Sequence, residues 1–209
     1  MKNKKIMIII LLISIIIICM FFIKNNYRFS KNGNNISNKS ADEIKEYILN
    51  IDSYRAIATI TIKSNKNENR YKVEQKYNKE NNVYKQQILE PDNIKGVEFA
   101  YDGKNLTLKN TNLNIKKIYQ DYAEICSNIL SLSQFIKDFK NDNNSKCYSE
   151  KNMVIMETTD EKNPYNQKKK LYINKTKGTL EKLEIIDKSQ NVRIYILYNE
   201  IEINLTPKE

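Results

Sequence analysis

The sequence contains no histidine and no tryptophan, and it has only four glycines, three prolines and three cysteines among 209 residues. Without histidine, the chain cannot form Ser-His-Asp or Cys-His nucleophile pairs, nor a histidine-based metal site. The few glycines do not form a Walker A loop, a GxGxxG loop or a GxSxG elbow. These absences argue against the common hydrolase, nucleotide-binding and zinc-dependent classes of function.

Paired carboxylates are the catalytic arrangement that these absences leave open. Glu181, Glu184 and Asp187 lie close together in the sequence. A catalytic pair, however, needs a set separation across a cleft, and a solvated strand face explains such spacing more simply. We therefore predict that the chain is not an enzyme and that it needs no metal and no cofactor.

A long apolar run near the N-terminus predicts a membrane segment. Residues 6–23, IMIIILLISIIIICMFFI, contain no charged side chain. At about 1.5 Å per residue they would span roughly 27 Å as a helix, enough for the hydrocarbon core of a bilayer. Three lysines precede the run, as in a signal peptide, but bulky side chains occupy the place of a cleavage site. We interpret residues 1–23 as an uncleaved anchor, rather than a cleaved signal, with the rest of the chain on the extracytoplasmic face.

The three cysteines fall into two groups. Cys19 lies within the anchor, where lipid attachment would need a small residue before it, and the chain has Ile18 there. A cysteine that serves as a small apolar residue is the simpler interpretation. Cys126 and Cys147 lie in the exported part, where they could form a disulfide or remain as two buried free thiols.

The positive charge of the chain is concentrated beside the predicted anchor. The first 31 residues contain six Lys or Arg and no acid, whereas the remaining residues contain 29 basic and 25 acidic side chains. Anionic headgroups would attract the first group. Beyond the triplet 168–170 the rest of the chain has no dense basic block, so we expect no nucleic-acid partner.

A polar segment and a short helix follow the anchor. Residues 24–40 are rich in Asn and Ser and lack periodicity, which predicts a flexible tether before a domain at 41–209. Ser40-Ala-Asp-Glu43 matches a capping box. Ile44, Tyr47 and Ile48 then share one helical face, and the helix is predicted to end near Asn50.

Strand patterns dominate the rest of the chain. Alternating apolar residues, interrupted by Asn-rich turns, predict about ten antiparallel strands. The Asp102-Gly103 pair predicts a tight hairpin. In the last strand the apolar residues occupy even-numbered positions up to Tyr198 and odd-numbered positions after it. A β-bulge near Asn199-Glu200 would keep them all on one face, so we predict one there.

One amphipathic helix is predicted within this series of strands, in SNILSLSQFIKDFK, residues 127–140. Its apolar residues recur at helical spacing: Ile129, Leu132, Phe135, Ile136 and Phe139. Such a stripe must be covered, and packing against the sheet is a better explanation than an exposed face for a partner protein.

Three motifs, taken in order, resemble the bacterial LolA/LolB/RseB-like lipoprotein-carrier fold. They are Glu90-Pro91-x-x-Ile-x-Gly96 followed by Tyr101-Asp-Gly-Lys104, the helix 127–140, and the closing strand Tyr198-Asn-Glu-Ile-Glu-Ile-Asn204. The resemblance covers about residues 41 to 206. It implies a mainly β (α+β) fold, a strongly curved antiparallel half-barrel with helices on the concave side.

Within this fold, the chain is most similar to the clostridial GerS-type germination lipoproteins. That resemblance implies a role in sporulation, spore-cortex modification and germination, at the membrane of the forespore or spore envelope. It also implies a non-enzymatic adaptor that binds and activates an N-acetylmuramoyl-L-alanine amidase of the CwlD type. The Ile18-Cys19 pair departs from the lipoprotein pattern, which leaves membrane attachment but not lipidation as the expectation.

Two further binding modes stay open from the sequence. The alternative function is a carrier or sensor of lipid or lipoprotein acyl chains, held by a concave apolar face. We predict that face to include Ile60, Phe99, Leu132, Phe135, Ile136 and Phe139. Edge strands of the sheet could pair with a partner or with a second copy to form a homodimer. Tyr119, Tyr122 and Tyr165 are candidate exposed contact residues.

Overall fold

The computed structural model describes residues 36–110, 112–122, 130–160 and 167–205, all of which belong to the unit 32–209. These residues are mainly β. In chain order the elements are α1 (Ala41–Leu49), β1 (Ser53–Lys63), β2 (Glu68–Asn78), β3 (Val83–Glu90), a 3-10 turn (Asp92–Ile94), β4 (Val97–Tyr101), β5 (Leu106–Asn110), β6 (Ile115–Tyr119), α2 (Leu132–Asn141), β7 (Lys146–Glu150), β8 (Met153–Thr159), β9 (Lys168–Asn174), β10 (Thr179–Ile186) and β11 (Val192–Asn204).

The strands form one curved, open antiparallel sheet in the order β6-β5-β4-β3-β2-β1-β11-β10-β9-β8-β7. The first and last strands pair in its centre, and β6 and β7 form its two edges. The sheet therefore has eleven strands in the described residues, where the sequence predicted about ten. The strand missed was β7, KCYSE, because it has no alternating apolar pattern and four of its five residues are exposed.

Alternation of side chains defines an inner face of the sheet, which carries the core. Tyr54, Ala56, Ala58 and Ile60 of β1 all point to this face and are buried. The pairing of β1 with β11 changes register between Ile57 and Ala58, because Asn199 is an extra residue between their partners Glu200 and Tyr198. The predicted bulge is confirmed, and it returns Tyr198, Ile201 and Ile203 to the inner face.

Helix α1 begins with the predicted capping box. The Ser40 Oγ accepts a hydrogen bond from the Glu43 backbone N–H at 3.2 Å, and the Glu43 carboxylate accepts from the Ser40 N–H at 2.9 Å. Ile44 and Ile48 are fully buried beneath the helix. The helix ends at Leu49, with Asn50 as its C-cap, as the sequence predicted.

Helix α2 packs against the inner face, which confirms the sheet as its partner. It begins at Leu132, after the N-cap Ser131, so it is shorter than the predicted 127–140; residues 127–129 lie outside the described part. Its buried side chains are Leu132, Phe135, Ile136 and Phe139. Helix α2 contacts β8, and α1 contacts β7, β8 and α2.

The predicted anchor, residues 6–23, lies outside the described residues and stays a prediction. Neither helix in the described ranges has the length and apolar character to cross a membrane. The predicted tether is described only from Ile36 onward. There, Ile36 is buried in the core and the Asn38 N–H donates to the Lys175 carbonyl at 2.9 Å.

Candidate docking surface

The residues predicted to line a concave apolar face do come together. Ile60, Leu132, Phe135, Ile136 and Phe139 are all members of one buried core cluster, and half-buried Phe99 packs against it. The rings of Phe135 and Phe139 lie 5.9 Å apart. In the described residues these side chains contact one another and the sheet, which is the arrangement of a packed core. Their predicted role in holding an acyl chain stays a prediction.

Buried polar groups lie beside this apolar core, near the start of α2. The fully buried Gln75 donates through Nε2 to the Gln86 side-chain oxygen at 3.0 Å and to the Leu130 carbonyl at 2.7 Å. The Tyr84 hydroxyl donates to the same Gln86 oxygen at 2.8 Å. The Tyr54 hydroxyl accepts from the Ser133 N–H at 3.4 Å. These contacts join β1, β2 and β3 to the N-terminal end of α2.

Burial disfavours ionisation of the buried tyrosine hydroxyls in and near this group. It raises the pKa of Tyr54 to about 12 and holds the pKa of Tyr84 and of Tyr198 well above the ordinary tyrosine value. A nearby cavity, which Tyr84, Ser131 and Ser133 help to line, has a volume of about 30 Å³. A polar cavity of this volume is large enough to hold ordered water.

Other side chains bind the candidate carboxylates Glu181, Glu184 and Asp187. The Thr179 hydroxyl donates to Glu181 at 3.3 Å. Glu184 accepts from the Tyr172 hydroxyl at 2.8 Å and pairs with Lys182 at 2.6 Å. Asp187 was predicted to lie on a solvated face, but it is buried. It accepts from the Asn191 N–H at 2.9 Å and pairs with Arg193 at 2.5 Å, and these bonds lower its pKa and hold the turn before β11. Within the described ranges no group of three or more His, Cys, Asp or Glu side chains could hold a metal.

Two of the five exposed large apolar side chains of the described residues belong to the edge strand β6, and a third lies just before it. Ile115 and Ile118 of β6 are 58% and 51% exposed, and Leu113, just before the strand, is 65% exposed. Ile115 shares the inner face with Leu108, whereas Ile118 lies opposite Thr107 on the outer face. A strand that is apolar on both faces is typical of the interior of a sheet, yet β6 lies at an edge.

Lysine side chains surround these apolar residues. Lys109 of β5 lies directly opposite Lys116 of β6, and Lys117 follows in the next position. In the part of the chain that the structure describes, none of the three has a carboxylate partner within 4.0 Å. Lys117 instead lies 4.8 Å from the centre of the Tyr119 ring. Like charges directly across a strand pair are unfavourable. Lys109 also lies opposite Glu98 of β4, whereas Lys116 and Lys117 lie on the edge strand itself, so the positive charge of this edge is concentrated on β6.

Two of the three predicted contact tyrosines lie at the end of the same strand. Tyr119 closes β6, and its ring lies 5.6 Å from that of Tyr122, at an angle of 47°. Both side chains are half-buried. The third, Tyr165, lies outside the described residues. We define the β6 edge as Leu113, Ile115, Lys116, Lys117, Ile118 and Tyr119.

The opposite edge, β7, has a different character. Its side chains are mostly polar or charged, and Tyr148, at 36%, is its only exposed large apolar residue in the described range. Helix α1 packs beside it, where the Cys147 thiol donates to the Ala41 carbonyl at 3.6 Å. Burial raises the pKa of that thiol. Cys147 is free in this structure, but Cys126 and Cys19 lie outside the described residues, so the disulfide and the lipidation stay predictions.

The β6 edge was not predicted from the sequence, although its residue pattern is visible there. In IKKIY the two isoleucines are three residues apart, so a strand places them on opposite faces, with two lysines between them. Lysine in a short strand is typical of a sheet edge. The pattern alone does not say which strand lies at the edge, because that depends on the order of all eleven strands.

Comparisons with known proteins place the chain in a family. Among curated proteins, no sequence matches this chain. Many solved chains are similar to it, among them three from different organisms. One is a chain of the structure of the CwlD amidase from Clostridioides difficile in complex with the GerS lipoprotein, with 24% identity, a TM-score of 0.49, and coverage of 76% of this chain and 90% of that chain. An uncharacterized conserved protein from Thermus thermophilus has 12% identity, a TM-score of 0.49, and coverage of 81% and 90%.

The third is a LolA superfamily protein from Nitrosomonas europaea, with 16% identity, a TM-score of 0.43, and coverage of 81% of this chain and 96% of that chain. The profile of the sporulation protein YdcC-like family matches residues 3–209, nearly the whole chain. The chain therefore belongs to the sporulation protein YdcC-like family.

Proposed function

We propose that this chain is a non-enzymatic, membrane-anchored adaptor of sporulation, which binds and activates a spore-cortex amidase of the CwlD type. Three things support the proposal. The chain belongs to a sporulation family. Its sequence motifs resemble GerS-type proteins, for which that partner is implied. The observation that carries a binding role is the β6 edge, where Ile115 and Ile118 stay more than half exposed.

The predicted anchor gives this role a physical rationale. Residues 1–23 would hold the domain at the extracytoplasmic face of the membrane, and a bound amidase would be confined to the same surface. Confinement raises the effective concentration of the enzyme near newly made cortex without any further contact. The adaptor needs no reactive group of its own, because it contributes a surface and a position.

The proposal is tested with the full chain in detergent micelles or nanodiscs and the CwlD-type amidase from the same organism. We expect a complex on size-exclusion chromatography and an increase in the release of stem peptides from purified cortex peptidoglycan. The chain alone should release nothing. A chain that neither forms the complex nor changes the rate of the amidase would contradict the proposal.

The carrier of acyl chains is the second candidate, and the apolar inner face is the observation that favours it. In the described residues that face is occupied by α2, whose Leu132 and Phe135 are at most 1% exposed. An acyl chain would have to displace this helix from the core, at the cost of its buried area. Native mass spectrometry of the chain after incubation with phospholipid vesicles distinguishes the two candidates, since a carrier retains lipid and an adaptor does not.

A further inference from the structure

We infer that the β6 edge binds an extended, acidic segment of a partner protein, which adds to the sheet as a further strand next to β6. The inference rests on the proposed function for the identity of the partner, but the location and the chemistry of the edge come from the fold. The step beyond the proposed function is the surface that is used and the kind of segment that it accepts.

The backbone of β6 offers the hydrogen bonds for such an addition. In the described residues β6 pairs with β5 on one side only. The pairing runs from Tyr119 opposite Leu106 to Ile115 opposite Asn110. The N–H and C=O groups that point away from β5 therefore face outward. An extended peptide can satisfy them, which is the general mode of strand addition at a sheet edge. The five residues of β6 set the length of the added segment.

The side chains of the β6 edge favour an apolar and acidic occupant. Ile115 and Ile118 are exposed on opposite faces, so two apolar residues three positions apart in an added strand would cover one on each face. Lys116 and Lys117 also point to opposite faces and lack a carboxylate within 4.0 Å in the described ranges. Cross-strand neighbours lie about 4.5–5.5 Å apart, within reach of an ion pair between each lysine and an Asp or Glu of the new strand.

The same charges disfavour a second copy of this chain. If two β6 strands paired antiparallel about their centre, each lysine would lie opposite or beside a lysine of the other copy. A parallel pairing in register would place each lysine beside its own counterpart. Repulsion between like charges across the pair is unfavourable in both cases. The lysines thus act against self-association, as edge lysines commonly do, while they leave an acidic strand free to bind.

The opposite edge does not offer the same combination. On β7, Lys146 and Glu150 carry opposite charges, and the exposed residues between them are Tyr148 and Ser149. Helix α1 lies against this strand. An acidic segment would gain one favourable and one unfavourable charge contact there, so we expect it to select β6.

A synthetic probe tests the edge independently of any amidase. The probe is a capped peptide that repeats Val-Glu-Glu-Val, which presents one Val and one Glu to each face of the sheet, and its control is the same peptide with Lys in place of Glu. We expect the acidic peptide to slow hydrogen exchange of β6 amides in the full chain, and to lose this effect in Lys116→Glu/Lys117→Glu. The lysine peptide should leave β6 unchanged. Equal effects of both peptides, or protection elsewhere on the sheet only, would overturn the inference.

The amidase complex tests whether the natural partner uses this edge. We expect Lys116→Glu/Lys117→Glu to weaken binding by about tenfold or more, mostly through slower association, because steering by charge is lost. The matched control is Lys146→Glu/Lys177→Glu, which makes the same change in net charge in the other half of the sheet and should alter binding by no more than about twofold. Circular dichroism and thermal unfolding confirm that both variants fold.

The outcomes separate the two proposals. An amidase that binds both variants as it binds the unmodified chain overturns the β6 edge as its site and leaves the adaptor function in place. An amidase that never binds, together with protection of β6 by the acidic peptide, removes the proposed partner but supports the edge. The unmodified chain could also self-associate. If Lys116→Glu/Lys117→Glu alters that self-association, the occupant of the edge is a second copy, and the inference is overturned.

Discussion

The two halves of the sheet differ in what covers them, although they share one antiparallel ladder. In β8 and β9, Val154, Met156, Leu171 and Ile173 are fully buried. In β4, β5 and β6 only Tyr101 is buried, and the other residues are half-buried or exposed. Both helices contact strands on the β7 side. We call β7–β10 the covered half of the sheet and β4–β6 the uncovered half. We expect the covered half to contribute most of the stability and the uncovered half to provide a surface for binding.

Truncating a matched pair of phenylalanines on the inner face should show this difference most strongly. Phe135 of α2 is 1% exposed, and Phe99 of β4 is half-buried. We expect Phe135→Ala to lower the free energy of unfolding by about 3–5 kcal/mol, because it leaves a cavity in the packed core. Phe99→Ala should cost about 1–2 kcal/mol, since less apolar area returns to water. Urea unfolding measures both, and equal losses would remove the proposed division.

An aspartate in the covered half should give the next largest effect. Asp142, after α2, accepts from the Thr159 N–H at 2.7 Å and from the Thr158 hydroxyl at 3.0 Å. Burial opposes ionisation, but these bonds outweigh it and lower the pKa of the carboxyl. We expect Asp142→Asn to destabilise the chain at neutral pH by about 1–3 kcal/mol, since a charged acceptor that links α2 to β8 is lost.

The sign of the pH dependence follows from the direction of that shift. Because the folded pKa lies below the ordinary value, the stabilisation is present above the ordinary pKa of about 4 and is lost as the pH falls through the folded pKa. The unmodified chain and Asp142→Asn should therefore converge in stability in acid. The comparison variant is Asp102→Asn in the β4–β5 turn. Backbone hydrogen bonds also lower the pKa of Asp102, but its carboxyl is exposed. We therefore expect this variant to lose less stability than Asp142→Asn. If the difference in stability between the unmodified chain and Asp142→Asn widened as the pH fell, this explanation would be wrong.

A glycine in the uncovered half tests the turn that sets β5 beside β4. Gly103 has a φ of +92°, and an added Cβ would lie 2.3 Å from the Asn82 side-chain amide. We expect Gly103→Ala to cost about 1–3 kcal/mol through backbone strain, with some relief if Asn82 moves away. Gly178→Asn in the covered half, at a φ of +64°, should cost less, because asparagine tolerates that region. Thermal unfolding with hydrogen exchange at β5 distinguishes a local from a global loss.

The smallest effect on stability is expected at the β6 edge. Ile118→Thr should change the free energy of unfolding by no more than about 0.5 kcal/mol, since the side chain is largely in water already. Amides of β6 should exchange faster with solvent than those of β8 and β9, because few buried contacts hold this strand. Binding of the acidic peptide should weaken in the same variant. A large loss of stability would mean that this isoleucine packs in the folded chain.

Much of the local structure could be predicted from the sequence, because short-range chemistry determines it. The Ser40 capping box, the stripe of α2 and the bulge at Asn199 were each found at or close to the expected positions. Strand β7 was missed because its side chains are mostly exposed and show no alternation. Asp187 was misread as solvated, since its burial depends on Arg193 and Asn191, which the fold brings around it.

The residues alone fix the absence of histidine chemistry, the period of each strand and helix, and the run IKKIY with its two lysines. The pairing of the strands places this run at an open edge, with Lys116 opposite Lys109. The physical reason is that periodicity is a property of neighbours along the chain. Exposure of an edge depends on the order in which eleven strands pair, and that order is fixed by contacts between residues far apart in sequence.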